Sequence, residues 1–213
     1  MEIIAKAVQF IAWGFGQLFF PIFFHWKIIG QENLKSLKPP LIVAFNHSSW
    51  LDPFLIMAAI SPRSKIVPIH FAVWPGHFYK PLFFPFLLLS GAFPVRKHIE
   101  LKNTLKKPIQ ILKNKGVVGI APEGKRRHLG RPRKGRRGPA FLALQTEAPI
   151  LPIYLDGVLG FESQPLLSRK RKIRVVIGKS FSVPARRIRK LKDLNVPADL
   201  IRDKIFALEE SKT

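Results

Sequence analysis

Five short apolar runs constrain the fold of this chain more than any other feature. LIVAF (41–45) is bounded by Pro39–Pro40 and Asn46, and KIVPIHF (65–71), VVGIA (117–121), ILPIYL (150–155) and IRVVIG (173–178) repeat the pattern. Continuous runs of this kind mark strands buried on both faces, as in a parallel sheet. Helical segments fall between them. DPFLIMAAI opens with Asp52 at the N-cap and Pro53 at the first helical position, a favoured start. In 99–114, Leu101, Leu105, Ile109 and Leu112 recur at helical spacing, and Pro108 predicts a kink or a break. PAFLALQTEA and VPADLIRDKIFALEE supply two more helices, and FFHWKIIGQENL reads as a strand leading into a turn. The alternation predicts an α/β fold, a mostly parallel or mixed central sheet flanked by helices. With no internal repeat, low-complexity tract or linker, residues 27–213 read as one domain.

The N-terminus adds a different element. Between Lys6 and Lys27 the chain carries no formal charge, about the minimum length that spans a bilayer. Gly14, Gly16, Gln17 and Pro21 weaken it as a clean span, and FFPIFFHW is no signal-peptide cleavage site. Residues 1–26 are therefore expected to be a retained, bilayer-embedded or interfacial helical anchor, rich in aromatics that include Trp13 and Trp26. The competing reading is a helix packed into the core. A second apolar stretch, 71–95, is broken by Pro75, Lys80, Pro81 and Pro85, which argues against a continuous spanning helix.

Charge narrows the partners. Lys and Arg number 36 against 13 acids, a formal net charge of +23, yet 47 % of residues are hydrophobic and 18 are Phe. A surface of this sign seeks polyanions. The aromatics lie in FGQLFFPIFF and FYKPLFFPF, away from the arginines, so the pattern suits an anionic membrane and disfavours nucleic acid. The absence of cysteine excludes a disulfide framework, a thiolate metal site and a Cys nucleophile.

Among so few acids, Asp52 stands five positions after His47 in NHSSWLD. His47 leaves the C-terminal end of a strand, where α/β folds place reacting groups. A strand–turn–helix junction can fold the carboxylate back onto the imidazole, fixing the tautomer and leaving Nε2 as a base. The alternative is a helix-capping Asp52 beside an ordinary loop histidine. No G-x-S-x-G elbow is present, so a His–Asp pair here would activate a substrate hydroxyl.

The second constellation is GIAPEGKRRHLGRPRKGRRGPAF, in which eight of residues 125–137 are Lys or Arg and none is acidic. Glycines free backbone amides for an anion, and arginine forks match phosphate oxygens. Most of these charges, Arg133 and Arg136 included, read as solvated or lipid-facing. Glu123, pinned between Pro122 and Gly124, reads instead as orienting an arginine or touching a substrate hydroxyl.

NHSSWLD resembles the N-H-x4-D motif of the glycerolipid acyltransferases, and PEGKRR their P-E-G-T-R motif. GAFPVRK (91–97) is similar to the family's G-x-x-F-x-x-R block, APILPIYLDG (148–157) to its V-P-[IV] block, and RKGRRGPAFLALQTEAPILP to the lysine–glycine step and Ala-rich helix joining the last two. Four blocks in order over residues 40–157 resemble most closely the bacterial 1-acylglycerol-3-phosphate acyltransferases. The resemblance implies that a fatty acyl group passes from an acyl thioester, on acyl carrier protein or coenzyme A, to the hydroxyl of a lysophospholipid. It implies His47 as general base, Asp52 as its orienting partner, and Arg96 and Arg126 as phosphate ligands. Glu123 and Gly124 would shape the acceptor site, with Lys134 of the lysine–glycine step beside it and Pro152 near the acyl groove. It implies no metal or redox cofactor, and a place on the cytoplasmic face of the cell membrane. Lys125 and Arg127 stand where the family usually has Thr and Ser, adding positive charge beside the acceptor headgroup.

Overall fold

A computed structural model describes residues 2–81, 84–95, 100–124, 126, 134–159, 171–184 and 190–210. Its centre is a seven-stranded sheet: β1 (His25–Ile29), β2 (Leu41–Phe45), β3 (Ile69–Val73), β4 (Phe93–Pro94), β5 (Val117–Ile120), β6 (Ile150–Asp156) and β7 (Lys172–Ile177). The spatial order is β1-β7-β6-β2-β5-β3-β4. Five strands, β6, β2, β5, β3 and β4, run parallel; β7 is antiparallel to β6, and β1 is parallel to β7. The sheet is mixed, as the runs of branched apolar residues predict.

Strand β2 lies in the middle and is buried throughout. Leu41, Val43 and Phe45 join the core on one face, with Leu151, Ile153 and Leu155 of β6. Ile42 and Ala44 join the core on the other, with Ile150 and Tyr154. Alternation at period two thus serves both faces, which is why the run is apolar without a gap.

Helices α1 (Glu2–Phe23) and α2 (Asp52–Ala59) contribute to the first core; α5 (Lys106–Lys113), α6 (Arg137–Thr146) and α7 (Asn195–Phe206) cover the second. Two short helices, α3 (Phe84–Leu89) and α4 (Leu101–Thr104), follow β3 and β4. The break expected at Pro108 occurs at Leu105 instead. Proline clashes with the residue four positions before it, here Thr104, so the first helix stops there. Pro108 itself sits in the first turn of α5, where its missing N–H has no intrahelical partner to lose. Strand β3 starts at Ile69 rather than Lys65, after Pro68, which has no N–H for a ladder. The stretch after Val73 forms a 3-10 turn (Pro75–Tyr79) and then α3, with Trp74, Tyr79, Phe84, Phe86, Leu88 and Leu89 exposed.

Helix α1 has two unlike faces. Ala5, Gln9, Ala12, Gly16 and Phe20 are buried at helical spacing. Gln9 Nε2 donates to Ile69 O (2.8 Å) and Ser90 O (3.3 Å), while its Oε1 accepts from Ile69 N (3.0 Å). Gln17 Nε2 donates to Ala58 O at 2.8 Å. The opposite face exposes Ile3, Phe10, Ile11, Phe15, Leu18 and Ile22. The helix is long and apolar enough to cross a membrane by length and composition, and it is also bonded into the body of the fold.

Candidate active site

The site gathers where β2 and β5 end side by side. Leu41 to Ala44 pair with Val117 to Ile120 in parallel, so the residues beyond both strands emerge at the same edge of the sheet. Asn46 comes first and is wholly buried. Its carboxamide pairs with both backbone groups of Leu155 in β6: Nδ2 donates to Leu155 O at 2.8 Å and Oδ1 accepts from Leu155 N at 2.6 Å. Nδ2 also reaches Ser48 Oγ at 3.2 Å.

His47 follows, its side chain 28 % exposed, with Nδ1 2.8 Å from Oδ2 of Asp52, which is fully buried. Asp52 is the first residue of α2 and does not cap it: its carboxylate turns back to accept from the amides of Ser48 (2.8 Å) and Ser49 (3.0 and 3.1 Å). The expectation of an N-cap is thereby corrected. The amides of the turn, freed because Ser48 and Ser49 belong to neither strand nor helix, claim the carboxylate ahead of the helix's own N–H groups. Burial raises the Asp52 carboxyl above its usual range, opposed by the His47 hydrogen bond and charge and by the two amides. With Nδ1–H donated to this carboxylate, Nε2 carries the lone pair that can accept a proton.

Glu123 is 1 % exposed and lies three residues past the end of β5. Its Oε1 accepts from the backbone N–H of His47 at 3.2 Å. The sequence spacing gave no sign of this contact with the His47 backbone. Gly124 closes the turn, its N–H donating to Ala121 O at 3.2 Å, with φ +63°, a conformation that favours glycine. A Cβ here would lie 3.2–3.4 Å from Nε, Cγ and Cδ of Arg136. Arg136, expected among the solvated charges, is exposed, but its side chain lies across this turn and its amide donates to Pro122 O at 2.6 Å.

Of the other residues expected at the site, Arg126 is half-buried, two positions past Gly124. Lys134 is exposed on a stretch that runs against α7, where Gly135 N donates to Asp199 Oδ1 at 3.4 Å. Pro152 is buried within β6, level with Ala44 of β2. Arg96 lies outside the described residues, as do Lys125, Arg127 and Arg133. Asn46 carried no assignment in the sequence, although a buried polar residue at a strand's end, one step before His47, was a visible signal. The amides of Ser48 and Ser49 hold the Asp52 carboxylate, and Ser49 Oγ accepts from Leu51 N at 3.2 Å.

Comparison with known proteins bears on the same stretch. The acyltransferase family model matches residues 25–156, from the start of β1 to the end of β6. A 1-acyl-sn-glycerol-3-phosphate acyltransferase of Bacillus subtilis is 30 % identical over 152 residues, covering 71 % of each chain. One of Pseudomonas aeruginosa is 26 % identical over 179 residues, covering 82 % of this chain and 66 % of that one. In fold, the chain is similar to the crystal structure of the 1-acyl-sn-glycerophosphate (LPA) acyltransferase PlsC from Thermotoga maritima: TM-score 0.74, 20 % identity, 98 % of this chain and 81 % of that one. Because the family's pattern runs from β1 through β6 and takes in the His47–Asp52 pair at the sheet's edge, the chain belongs to the acyltransferase family.

Proposed function

We propose that this enzyme transfers a fatty acyl group from an acyl thioester to the free hydroxyl of 1-acylglycerol-3-phosphate, giving phosphatidic acid. The observation that carries this reading is the His47 Nδ1–Asp52 Oδ2 contact of 2.8 Å with the carboxylate buried and the ring accessible. Nε2 takes the proton of the acceptor hydroxyl as its oxygen attacks the thioester carbonyl. Asp52 stabilises the imidazolium that forms. The tetrahedral oxyanion then collapses, the C–S bond breaks, and the departing thiolate recovers the proton from His47. Glu123 supports the step indirectly by holding the His47 amide. Arg96 and Arg126 bind the acceptor phosphate, and the reaction so written calls for no metal or redox cofactor. Acyl carrier protein and coenzyme A both supply a suitable thioester.

Residues 1–26 serve as the membrane-binding segment, and α1 lies in the plane of the cytoplasmic leaflet. The bonds of Gln9 and Gln17 to the body of the fold, set against the exposed Ile11 and Leu18, support an interfacial rather than a crossing helix. The exposed aromatics of the 3-10 turn and α3 extend the same apolar surface, and the basic surface matches anionic headgroups.

The test is thiol release by purified enzyme in detergent, with several lysolipids and both thioester donors. Lysophosphatidic acid should be acylated, and His47→Ala should lower the rate by about 10²–10⁴-fold with an unchanged melting temperature. Transfer to no lysolipid, or near-normal turnover by the variant, would overturn the reading.

A further inference from the structure

Helices α4 and α5 carry a face that neither the His47 chemistry nor the membrane segment uses. Inward, Leu105, Pro108 and Leu112 are buried. Outward, Lys102, Lys106, Lys107, Lys113 and Lys115 are all exposed. No acidic residue occurs from Leu101 to Pro122, and none of the five lysines forms an ion pair with a described residue.

Local stability does not account for this pattern. Lys106 and Lys107 stand in the first turn of α5, which holds no acid, although the partial positive charge of a helix N-terminus disfavours cations there. Helix α7 covers the same core and shows the alternative: its Arg202 pairs with Asp199 at 2.6 Å and Asp203 at 2.7 Å. Unneutralised charge set against a local preference marks a surface shaped by something other than folding.

Two features favour a soluble acidic partner over the bilayer. Every exposed residue of α4 and α5 is polar, with nothing like the apolar side chains that α1, the 3-10 turn and α3 expose. Helix α1 packs on the first core and α5 on the second, so the sheet stands between the membrane helix and the lysines. The face also borders the site. Strands β2, β5, β3 and β4 run parallel, so α4, which follows β4, starts from the edge where His47 leaves β2.

We propose that the lysine face of α4 and α5 docks a small acidic protein that carries the acyl thioester on a flexible arm, the chemistry of an acyl carrier protein. The inference rests on the acyl transfer proposed above and assigns the surface that receives the donor. Opposite charge steers such a partner to this side and speeds its encounter, while α1 holds the enzyme at the lipid that supplies the acceptor.

The experiment measures kcat and KM for acylation of lysophosphatidic acid from palmitoyl-loaded bacterial acyl carrier protein and from palmitoyl-coenzyme A, in micelles without anionic lipid. One variant combines Lys102→Glu, Lys106→Glu and Lys107→Glu. A control with the same change of charge combines Lys172→Glu, Lys192→Glu and Lys204→Glu, all exposed and outside α4 and α5. The first variant should melt no lower than the wild type, since acids suit the first turn of α5. Its KM for the carrier-bound thioester should rise about tenfold or more at low salt, as expected when like charges replace opposite ones. Its KM for palmitoyl-coenzyme A and its flotation with anionic vesicles should stay at the wild-type level, and the control should match the wild type throughout. Added salt should raise the wild-type KM for the carrier toward that of the variant. An unchanged KM for the carrier, an equal rise for both thioesters, or an equal rise in the control would overturn the proposal. Lost flotation with an unchanged carrier KM would overturn it too and assign the face to the bilayer. A wild-type enzyme that accepts only the coenzyme A thioester would overturn the docking and leave the acyl-transfer reading in place. One that acylates lysophosphatidic acid from neither donor would overturn that reading first.

Discussion

Asn46 extends the β2–β6 ladder with its side chain. The backbone pairing of the two strands ends at Phe45 and Ile153, and the Asn46 carboxamide then meets both the N–H and the C=O of Leu155, at 2.6 and 2.8 Å. The chain can therefore leave the sheet at Asn46 without leaving a buried peptide unpaired. His47 departs from this fixed point.

Asn46→Ala should destabilise the protein by about 1–3 kcal/mol, because the two groups of Leu155 lose their partner in a buried place. It should also lower kcat more than it raises KM, since the residue positions His47 and does not touch substrate. Urea unfolding and thiol release measure the two effects. Asn46→Asp, which buries a carboxylate against Leu155 O, should destabilise at least as much as alanine. A variant with normal stability and turnover would show that the clamp is dispensable.

Asp52 gives a pH signature. Burial raises its carboxyl above the ordinary value of 3.8. A carboxyl raised in the folded state contributes stability that is full below about 3.8 and is lost as pH rises through the folded value. Asp52→Asn has no such proton to lose. The stability of wild type minus that of Asp52→Asn should therefore increase as pH is lowered through this window, read from denaturant midpoints at stepped pH. A difference that instead grows with pH would mean that the His47 and amide hydrogen bonds outweigh burial. Turnover at neutral pH should drop on the order of 10²–10⁴-fold in the same variant, the range for losing general-base function.

Two glycines of α1 should respond oppositely to the same change. A Cβ on Gly14 meets nothing within 4 Å, whereas one on Gly16 would overlap Ala58 of α2. Gly14→Ala should stabilise by about 0.5–1 kcal/mol through helix propensity. Gly16→Ala should destabilise by about 1–3 kcal/mol, because the two helices must separate. Thermal melts in detergent measure both. Equal effects would mean that α1 is not seated against α2.

The outer face of α1 should govern membrane binding without affecting the fold. Ile11 and Leu18 are 68 % and 72 % exposed, so Ile11→Glu with Leu18→Glu removes no packing. Flotation with anionic vesicles should show clear loss of binding, with the melting temperature in detergent unchanged. The residual binding should fade with salt, since exposed charges are screened within about 8 Å at physiological ionic strength. Undiminished flotation would place the membrane contact elsewhere.

Periodicity and punctuation along the chain determine a good deal. The continuous run LIVAF specifies β2 to the residue, because a strand covered on both faces can hold no polar position. Pro53 opening α2, and strands alternating with helices, are local preferences that the fold keeps. The pairing of His47 with Asp52 was legible as a possibility for the same reason: a strand end, a short turn and a helix start leave few other places for the carboxylate.

Tertiary structure decided what sequence spacing leaves open. Which neighbour each strand takes, and hence that Glu123 stands beside His47, depends on β5 returning between β2 and β3 across 71 residues of intervening chain. Whether α1 is anchor or core helix was undecidable from its apolar composition, because lipid and protein interior reward the same side chains; its buried Gln9 and Gly16 settle which face docks on the fold. Among eight basic residues in one loop, charge is the same for all. Among the described ones, the fold sets Arg136 against the turn at Gly124 and Arg137 against Asn195 of α7.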